Sequence, residues 1–166
     1  MASTIRVVEE RDWAAMRDIF VRAGQAAWSH ILPPATLTTL SPPDRWHPRA
    51  GAEALVAELA GNVVGFVCLR ASADDDAMPT TGEIDALYVV PSAWGSGVGR
   101  ALLAAATVQL ARRFNEATLW TEHRNHRPLQ FYRAAGWQLD GMERRRTYHG
   151  TDLPELRHRI ALTVQS

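Results

Sequence analysis

The spacing of apolar residues changes several times along the chain. Five of them recur at helical spacing and predict an amphipathic helix over residues 12–27, namely Trp13, Met16, Phe20, Ala23 and Ala27. An alanine- and leucine-rich segment without an internal breaker predicts a second long helix over 100–114. Short apolar or alternating runs predict strands at 5–8, 53–59, 63–71, 82–90, 117–122, 138–148 and 153–164.

Proline and glycine mark the connections between these elements. Pro33 and Pro34 stand near the start of a short second helix predicted within 28–40, and a proline-rich loop follows it. The segment Ala60-Gly61-Asn62 predicts a hairpin turn between two strands. The stretch 73–81 carries a run of aspartates, Asp74 to Asp76, and such runs are typical of solvated loops.

A strand, a glycine-rich turn and a helix follow one another between residues 82 and 114. Gly95, Gly97 and Gly99 stand at alternate positions, which removes the Cβ atoms that would keep a ligand away from the main chain. The helix start leaves N–H groups without partners at the positive end of the helix dipole. This order predicts a phosphate-binding turn, and a merely tight strand-to-helix connection is the alternative.

The spacing of the glycines helps to decide which phosphate ligand is expected. The P-loop string GxxxxGK followed by Ser or Thr occurs nowhere in the chain, which argues against nucleoside triphosphate chemistry. A dinucleotide fingerprint has its glycines as GxGxxG, whereas this turn has GxGxG. Glu122 could supply the acid that the fingerprint requires, but too few residues follow Gly99 for the second half of that fold. A dinucleotide domain is therefore kept only as an alternative.

The turn resembles the pyrophosphate loop of the GCN5-related N-acetyltransferases. In that family the loop is Gln or Arg, two residues, Gly, any residue, then Gly or Ala, and it follows a strand that ends near a proline. The matching positions are Trp94, Gly95, Ser96, Gly97, Val98 and Gly99. Trp94 departs from the usual Gln or Arg. The departure affects one side-chain contact, because the family's loop relies mainly on backbone N–H groups.

A second motif about 30 residues downstream carries the same resemblance. Its residues match the family's Asn, short helix ending in Tyr, Gly and aromatic, and they are Asn125, Phe131, Tyr132 and Gly136-Trp137. Pro128 stands where Ala is common, and we expect it at the first helical position, where proline is tolerated. The resemblance implies a mixed α/β fold, with a mostly antiparallel central sheet of about seven strands and two helices on each face.

The resemblance also implies acetyl-CoA as the cosubstrate. The strand 117–122 is expected to splay from the strand that carries Leu87 to Val89, which opens a slot for the pantetheine arm, and an N–H near Val89 would polarise the acetyl carbonyl. Tyr132 is expected to protonate the departing thiolate, and packing of its ring under the cofactor is the alternative. The expected cofactor contacts are Leu87, Tyr88, Val89, Trp94, Gly95, Ser96, Gly97, Val98, Gly99, Arg100, Asn125 and Tyr132.

Acetyl transfer to an amine needs a base, because the amine arrives mostly protonated and only its neutral form can attack a thioester. Period two over 82–90 predicts one strand face with Glu83, Asp85, Leu87 and Val89 and the other with Ile84, Ala86, Tyr88 and Val90. Some family members use a glutamate on this strand as the base, often through water, and Glu83 stands at the matching position. Glu83 is the predicted base and Asp85 the second candidate, with a solvated carboxylate as the alternative.

Other reactive residues receive weaker predictions. In the resembling family the first helical region and its loop form a wall of the acceptor pocket, which makes Trp28, His30 and Trp46 candidate acceptor contacts. Cys68 lies in mid-strand among apolar residues and is expected to be an inert buried thiol, so no covalent nucleophile is predicted. The HxxH pair at 123 and 126 has no third clustered ligand, and no metal site is expected.

Composition adds a few constraints. A chain of 166 residues with 46% hydrophobic residues predicts one domain over 1–166. The formal net charge is zero, which gives no electrostatic case for nucleic acid or a membrane, and the basic cluster of the last two strands is expected to face water: Arg144, Arg145, Arg146, Arg157 and Arg159. The N-terminus lacks a hydrophobic leader segment and a single cysteine cannot form an internal disulfide, so a cytoplasmic location is the default expectation.

The sequence therefore predicts an N-acetyltransferase in which an amine attacks acetyl-CoA directly. The expected acceptor is a primary amine of a small molecule, and a protein amino terminus or lysine is the alternative. A non-catalytic acyl-CoA-binding module is a further alternative, which the presence of both Glu83 and Tyr132 disfavours. A homodimer is also compatible with the resemblance, since dimers are common in that family.

Overall fold

A computed structural model describes residues 2–163 of the chain. Its helices and strands are β1 (Thr4–Val7), α1 (Trp13–Ala27), α2 (Pro34–Leu37), β2 (Glu53–Leu59), β3 (Asn62–Ala71), β4 (Thr81–Val89), α3 (Val98–Ala111), β5 (Glu116–Glu122), α4 (His126–Ala134), β6 (Gln138–Tyr148) and β7 (Thr151–Ala161). The last predicted strand reached Val164, which lies outside the described residues. Within 2–163 no helix is both long and apolar enough to cross a bilayer.

The seven strands form one sheet in the order β1-β2-β3-β4-β5-β7-β6. All neighbouring pairs are antiparallel except β4 and β5, which are parallel and are joined by the crossover helix α3. Helices α1 and α2 lie on one face of the sheet, and α3 and α4 lie on the other. The predicted mixed α/β fold with a mostly antiparallel sheet is therefore confirmed.

The parallel pair is held together over only part of its length. Three residues of β4, ending at Glu83, pair with three residues of β5, ending at Thr118. Both strands continue past this point, β4 to Val89 and β5 to Glu122, without pairing to each other. The expected splay between these strands is confirmed, and we call the space it opens the gap.

A β-bulge interrupts the regular alternation of β4. In β3, Cys68 pairs with Ala86 of β4. The next β3 residue, Leu69, pairs with Ile84, so Asp85 is an extra residue in the ladder. An extra residue shifts the side-chain alternation by one position, and every β4 side chain after Asp85 points to the face opposite to the one that simple period two predicts.

Contacts on the two faces show the effect of the bulge. Trp46 donates from Nε1 to Asp85 Oδ2 at 2.8 Å, and its ring centroid is 5.8 Å from that of Tyr88, so both residues lie on the α1 face. Val89 faces α3, because a Cβ built on Gly65 would contact both Val89 and Leu102. The predicted face shared by Glu83, Asp85, Leu87 and Val89 is therefore wrong.

Arg157 of β7 is only 3% exposed and is surrounded by carboxylates. It donates to both Oδ atoms of Asp76 at 2.7 and 2.8 Å, to Asp74 at 3.2 Å and to Asp140 at 2.7 Å. Asp74 also accepts a hydrogen bond from Nε1 of Trp120 at 3.0 Å. The predictions of a fully solvated aspartate loop and a solvent-facing Arg157 are wrong, because these residues bind each other over the β5–β7 surface.

Close packing of α3 against the sheet explains why residue 82 is a glycine. A Cβ built on Gly82 would lie 2.6 Å from Cδ2 of Phe114, which is shorter than any tolerated contact. Glycine at this position lets the crossover connection approach β4. On the other face Cys68 is buried, and burial raises the pKa of its thiol, so it remains protonated as predicted for an inert residue.

Candidate active site

The turn after β4 exposes its backbone. Gly95 and Gly97 have φ values of +77° and +92°, in the left-handed region that favours glycine. A Cβ at either position would have no atom within 4 Å, so the surface of the turn is open. Gly97 directly precedes α3, whose first N–H groups have no partner within the helix. The turn can therefore hold an anion such as a pyrophosphate on backbone donors.

The side chains of this turn point in different directions. Ser96 donates both its hydroxyl and its backbone N–H to the carbonyl oxygen of Ala93, so this residue closes the turn and the N–H groups that follow it are left for a ligand. Val98 is buried under the helix, and Gly99 and Arg100 follow it in the first turn of α3. Arg100 is exposed beside the glycine turn, and its predicted contact with the cofactor stays a prediction.

One edge of β4 is free beside the turn. The N–H of Val90 donates to the carbonyl oxygen of Val64 on β3 at 2.9 Å. Because successive N–H groups of a strand point to opposite edges, the N–H and C=O of Val89 face the gap. Trp94 donates from Nε1 to the Val89 carbonyl oxygen at 2.8 Å. The Val89 N–H is therefore a hydrogen-bond donor directed into the gap.

An arginine that the sequence analysis did not select lies on Trp94. The Cζ atom of Arg127 is 4.6 Å from the centroid of the indole ring, within cation–π distance. Arg127 is the second residue of α4 and stands two positions after Asn125. Its position inside the second motif was the sequence feature that could have identified it as a candidate site residue.

Helix α4 forms the other side of the gap entrance. It begins at His126, directly after Asn125, whose side chain does not cap the helix. Pro128 is the third helical residue and not the first as predicted. A proline at this position removes no helical hydrogen bond, because the N–H groups of the first turn have no partner within the helix. A Cβ built on Gly99 would lie 3.6 Å from the ring of Phe131, so α4 packs beside the start of α3.

Tyr132 is buried in the packing between α4 and the sheet. Its ring centroid lies 6.1 Å from that of Trp137 and 5.8 Å from that of His158. Burial raises the pKa of the Tyr132 hydroxyl and lowers the pKa of His158. Tyr132 therefore keeps its proton at neutral pH, as a proton donor must, beside an uncharged imidazole.

Glu83 is only 2% exposed and lies at the last rung of the β4–β5 ladder. Its Oε2 accepts a hydrogen bond from Nε of Arg70 at 2.5 Å. Burial raises the pKa of Glu83 and the charge and hydrogen bond of Arg70 lower it, with a net upward shift. A carboxylate whose pKa is raised toward neutrality is a stronger base than an ordinary one.

Asp85, the second candidate base, is held by other groups. It accepts hydrogen bonds from Arg45 at 2.8 and 3.1 Å and from Trp46 at 2.8 Å. Burial raises the pKa of Asp85, but the hydrogen bond from Arg45, the charge of Arg70 and the bond from Trp46 lower it overall. Asp85 thus anchors the loop before β2 to the bulge and is the weaker base of the two.

Two further buried carboxylates lie on strands beyond the last paired rung of β4 and β5. Glu122 of β5 and Glu155 of β7 are direct partners across the antiparallel pair. Glu122 accepts a hydrogen bond from Arg124 at 2.6 Å, and Glu155 accepts one from Arg144 at 2.8 Å. Like charges directly opposite each other repel, and these separate partners offset that cost. Neither residue was predicted to take part in acetyl transfer, because only the strand register brings them together.

The three predicted acceptor contacts have different surroundings. Trp28 is partly exposed, and its ring centroid is 5.9 Å from that of Tyr88. His30 is exposed, and its Nε2 is 3.1 Å from the carbonyl oxygen of Arg124, so the loop after α1 meets the end of β5. Trp46 is buried and bonded to Asp85, so it lies behind the surface that an acceptor would contact.

The histidine pair at 123 and 126 is not assembled into a metal centre. Nδ1 of His123 lies 3.3 Å from the carbonyl oxygen of Pro154. Over residues 2–163 no group of three or more His, Cys, Asp or Glu side chains could hold a metal ion.

The profile of the GNAT acetyltransferase family matches residues 13–137, a range that contains the gap, the glycine turn and α4. The chain belongs to this family. Over 86 residues, 50% of this chain and 27% of the relative, it is 44% identical to a mycothiol acetyltransferase of Sanguibacter keddieii. Over 94% of this chain and 92% of the relative, it is 25% identical to a Mycobacterium tuberculosis protein named as a probable N-acetyltransferase.

A solved structure supports the same fold. The PaiA N-acetyltransferase of Thermoplasma acidophilum, in complex with coenzyme A, superposes with a TM-score of 0.72 at 16% identity, over 94% of this chain and 98% of that one. The likeness extends over the whole fold, whereas the match to the mycothiol acetyltransferase covers only 27% of the length of that relative.

Proposed function

We propose that this protein is an N-acetyltransferase that moves the acetyl group of acetyl-CoA to a primary amine of a small molecule. The observation that carries the proposal is the end of the β4–β5 ladder at Glu83 and Thr118. The gap beyond it has the Val89 N–H on one edge, the glycine turn at its entrance and α4 on its other side. Family membership supports the same donor.

In this proposal the donor is held mainly by backbone groups. The N–H groups of Gly97 to Arg100 bind the pyrophosphate at the start of α3. The pantetheine arm lies in the gap along the unpaired edge formed by Leu87, Tyr88 and Val89. Asn125, at the start of α4, lines the opposite side with a side chain that is not used as a helix cap.

The proposed chemistry uses three groups of this chain. Glu83 accepts the proton of the substrate ammonium through water, and the neutral amine nitrogen then forms its bond to the acetyl carbonyl carbon. The Val89 N–H donates to the carbonyl oxygen as that atom gains negative charge. When the carbon–sulfur bond breaks, Tyr132 gives its hydroxyl proton to the leaving sulfur, the new amide nitrogen releases its surplus proton to solvent, and Tyr132 regains a proton from solvent. A thiol pKa of about 8.5 makes this help useful and not obligatory.

A small-molecule acceptor is supported by two observations. Trp28 and Tyr88 form a partly exposed aromatic wall on the α1 face, next to the gap. The relative from Sanguibacter keddieii is named for mycothiol, which is a small molecule. A protein amino terminus or lysine side chain is the alternative acceptor, and peptide substrates in the same assay distinguish the two.

The first test is calorimetric titration of the protein with acetyl-CoA, with NAD as the control ligand. Gly97→Glu is expected to abolish acetyl-CoA binding, because φ of +92° strains a side chain and the added carboxylate repels phosphate. Circular dichroism shows whether the variant is folded. Absence of acetyl-CoA binding by the wild-type protein, or a preference for NAD, would contradict the proposal.

The second test measures turnover with a panel of small amines and peptides. Glu83→Gln is expected to lower kcat by about 10²- to 10⁴-fold. It should also remove the acidic limb of the pH–rate profile, since the rate rises as Glu83 loses its proton. Tyr132→Phe is expected to lower kcat by up to about 100-fold. Glu143→Gln, at an exposed carboxylate of β6, is the matched control and should leave the rate unchanged. Binding of acetyl-CoA without turnover of any amine would instead favour a binding module.

A further inference from the structure

The phosphate-binding turn lacks the polar side chain that the family has in front of its glycines. The segment 91–97 contains no charged residue, and Trp94 occupies the position of the usual Gln or Arg. An indole offers one N–H donor, and here that donor is already bonded to the carbonyl oxygen of Val89 at 2.8 Å. Trp94 therefore cannot contribute a hydrogen bond to a phosphate.

The same bond gives Trp94 a different use. It fixes the indole to the end of β4, directly before the turn, and leaves the ring face as the available surface. Arg127 lies over this face, with its Cζ atom 4.6 Å from the ring centroid. A guanidinium stacked on an aromatic ring keeps its in-plane N–H groups free to bind an anion.

The charges around Arg127 leave room for an anionic partner. No carboxylate oxygen within the described part of the chain, 2–163, lies within 4.0 Å of its nitrogens. Arg127 also occupies the first turn of α4, which has no acidic residue. A cation at this end of a helix is opposed by the helix dipole, so the location is unfavourable until an anion is present.

Helix α4 packs against the start of α3. A Cβ on Gly99 would be 3.6 Å from Phe131, the sixth residue of α4, and Arg127 in the first turn of α4 lies over Trp94 beside the glycine turn. An anion on the turn would therefore lie at the N-terminus of α3 and near the guanidinium.

We propose that Arg127, held on the indole of Trp94, supplies the side-chain N–H donors to the pyrophosphate of coenzyme A that Gln or Arg supplies elsewhere in the family. The inference rests on the proposed function, since it needs a coenzyme A thioester at the turn. It connects the two motifs through one ligand, because Trp94 belongs to the first and Arg127 to the second. Arg127 contributes to binding of the donor and takes no part in the acetyl transfer.

The test compares the affinity of single variants for coenzyme A by calorimetry. Arg127→Ala is expected to bind coenzyme A about 10- to 100-fold more weakly, the usual loss for a charge-assisted hydrogen bond. Trp94→Leu, which removes the platform and keeps the arginine, is expected to weaken binding by a few fold. Arg133→Ala, an exposed arginine in the last turn of the same helix, is the matched control and should bind like the wild type.

A relocated cation gives the sharpest test of the idea. The double variant Trp94→Arg with Arg127→Ala places the charge where the family has it, and it should regain most of the lost affinity. Equal weakness of the double variant and Arg127→Ala would contradict the relocation. A variant with unchanged far-ultraviolet circular dichroism excludes misfolding as the cause.

Shortened donors identify the phosphate that Arg127 binds. Dephospho-coenzyme A keeps the pyrophosphate, so Arg127→Ala should weaken its binding by the same factor. Acetyl-pantetheine has no pyrophosphate, and the variant and wild type should turn it over with equal KM. A loss that disappears with dephospho-coenzyme A would assign Arg127 to the 3′-phosphate and overturn the inference. Failure of the wild type to bind coenzyme A would overturn the proposed function, whereas equal binding by wild type and Arg127→Ala would overturn only this inference.

Discussion

Two tryptophans near the gap, Trp94 after β4 and Trp120 on β5, lie in cation–π contact with arginines. In the first, Arg127 lies 4.6 Å above Trp94, and no carboxylate of residues 2–163 is within 4.0 Å of it. In the second, Arg144 and Arg157 lie 4.2 and 5.6 Å from the Trp120 ring; Arg144 pairs with Glu155, and Arg157 is bonded to the carboxylates of Asp74, Asp76 and Asp140. Stacking alone therefore does not tell what an arginine does. An arginine saturated with carboxylates stabilises the fold, and an unsaturated one at an anion-binding turn is available for a ligand.

Removal of Arg157 should have the largest effect on stability. Arg157→Ala removes the buried cation that Asp74, Asp76 and Asp140 share, while Arg144 stays 3.8 Å from Asp74 and Arg159 stays 3.2 Å from Asp140. Breaking a buried ion pair in this way typically costs about 3–5 kcal/mol. Urea unfolding measures the loss. Arg145→Ala is the control, because that arginine is exposed and, among residues 2–163, pairs with Asp152 alone, so its loss should stay below about 1 kcal/mol. Equal stability of the two variants would show that the carboxylate cluster does not hold the sheet.

Removal of the indole N–H donors of Trp120 and Trp94 should destabilise the protein by different amounts. Trp120→Phe keeps an aromatic ring and loses the hydrogen bond to the charged Asp74, which should destabilise the protein by about 1.5–3 kcal/mol. Trp94→Phe loses a bond to the neutral carbonyl of Val89, and the expected cost is about 0.5–1.5 kcal/mol. Unfolding in urea compares both variants with the wild type. A larger loss of unfolding free energy for Trp94→Phe than for Trp120→Phe would contradict the view that the Trp120 site stabilises the fold and the Trp94 site serves a ligand.

Acid should weaken the Arg157 cluster and not the Trp94 stack. The hydrogen bond from Arg157 holds the pKa of Asp76 below its usual value. For Asp140 burial raises the pKa, but the Met142 N–H and Arg157 lower it overall. Because these folded-state pKa values lie below the unfolded value of about 3.9, their stabilisation is present above that pH and is lost as pH falls through the folded values.

The pH dependence of urea midpoints tests this sign. Between about pH 5 and pH 3 the wild-type midpoint should fall more steeply than that of Arg157→Ala, whose carboxylates have lost the partner that lowers their pKa. Parallel pH profiles for the two proteins would show that Arg157 does not control these carboxylates. Arg127→Ala should follow the wild-type profile, since it has no carboxylate partner among residues 2–163.

Removal of Arg127 should have the smallest effect on stability. An exposed cation–π contact contributes about 0.5–1 kcal/mol, and the position at a helix start opposes it. Thermal unfolding of Arg127→Ala without ligand should therefore be nearly that of the wild type, while added coenzyme A should protect the variant less. A loss above about 2 kcal/mol without ligand would assign Arg127 a structural role.

Much of the candidate site was visible in the sequence because its signals are local. The glycine turn and the start of α3 follow from Gly95 and Gly97, whose positive φ values are what glycine permits. The residues of the second motif, Asn125 and Tyr132, lie beside the end of β5 because α4 begins at His126, shortly after β5 ends at Glu122. Their contacts with acetyl-CoA stay predictions.

Other parts of the site could not be deduced from local pattern. Simple alternation in β4 placed Leu87 and Val89 beside Glu83, and the bulge at Asp85 reversed their face. A bulge depends on how β3 pairs with β4, so it cannot be predicted from the β4 sequence alone. The preference for Glu83 over Asp85 likewise depends on Arg45 and Trp46, which reach Asp85 from another segment.

The sequence by itself determined the order of elements, the glycine turn and the family, because hydrophobic period, backbone freedom and motif spacing are properties of neighbouring residues. Only the tertiary structure decided the partners of the charged groups. Arg157 binds Asp76, which is 81 residues away in the chain, and Arg127 of α4 contacts Trp94 of the turn after β4. Such pairings follow from strand register and helix packing, which are set by the whole sheet, and they decide which arginine stabilises the fold and which one can bind a ligand.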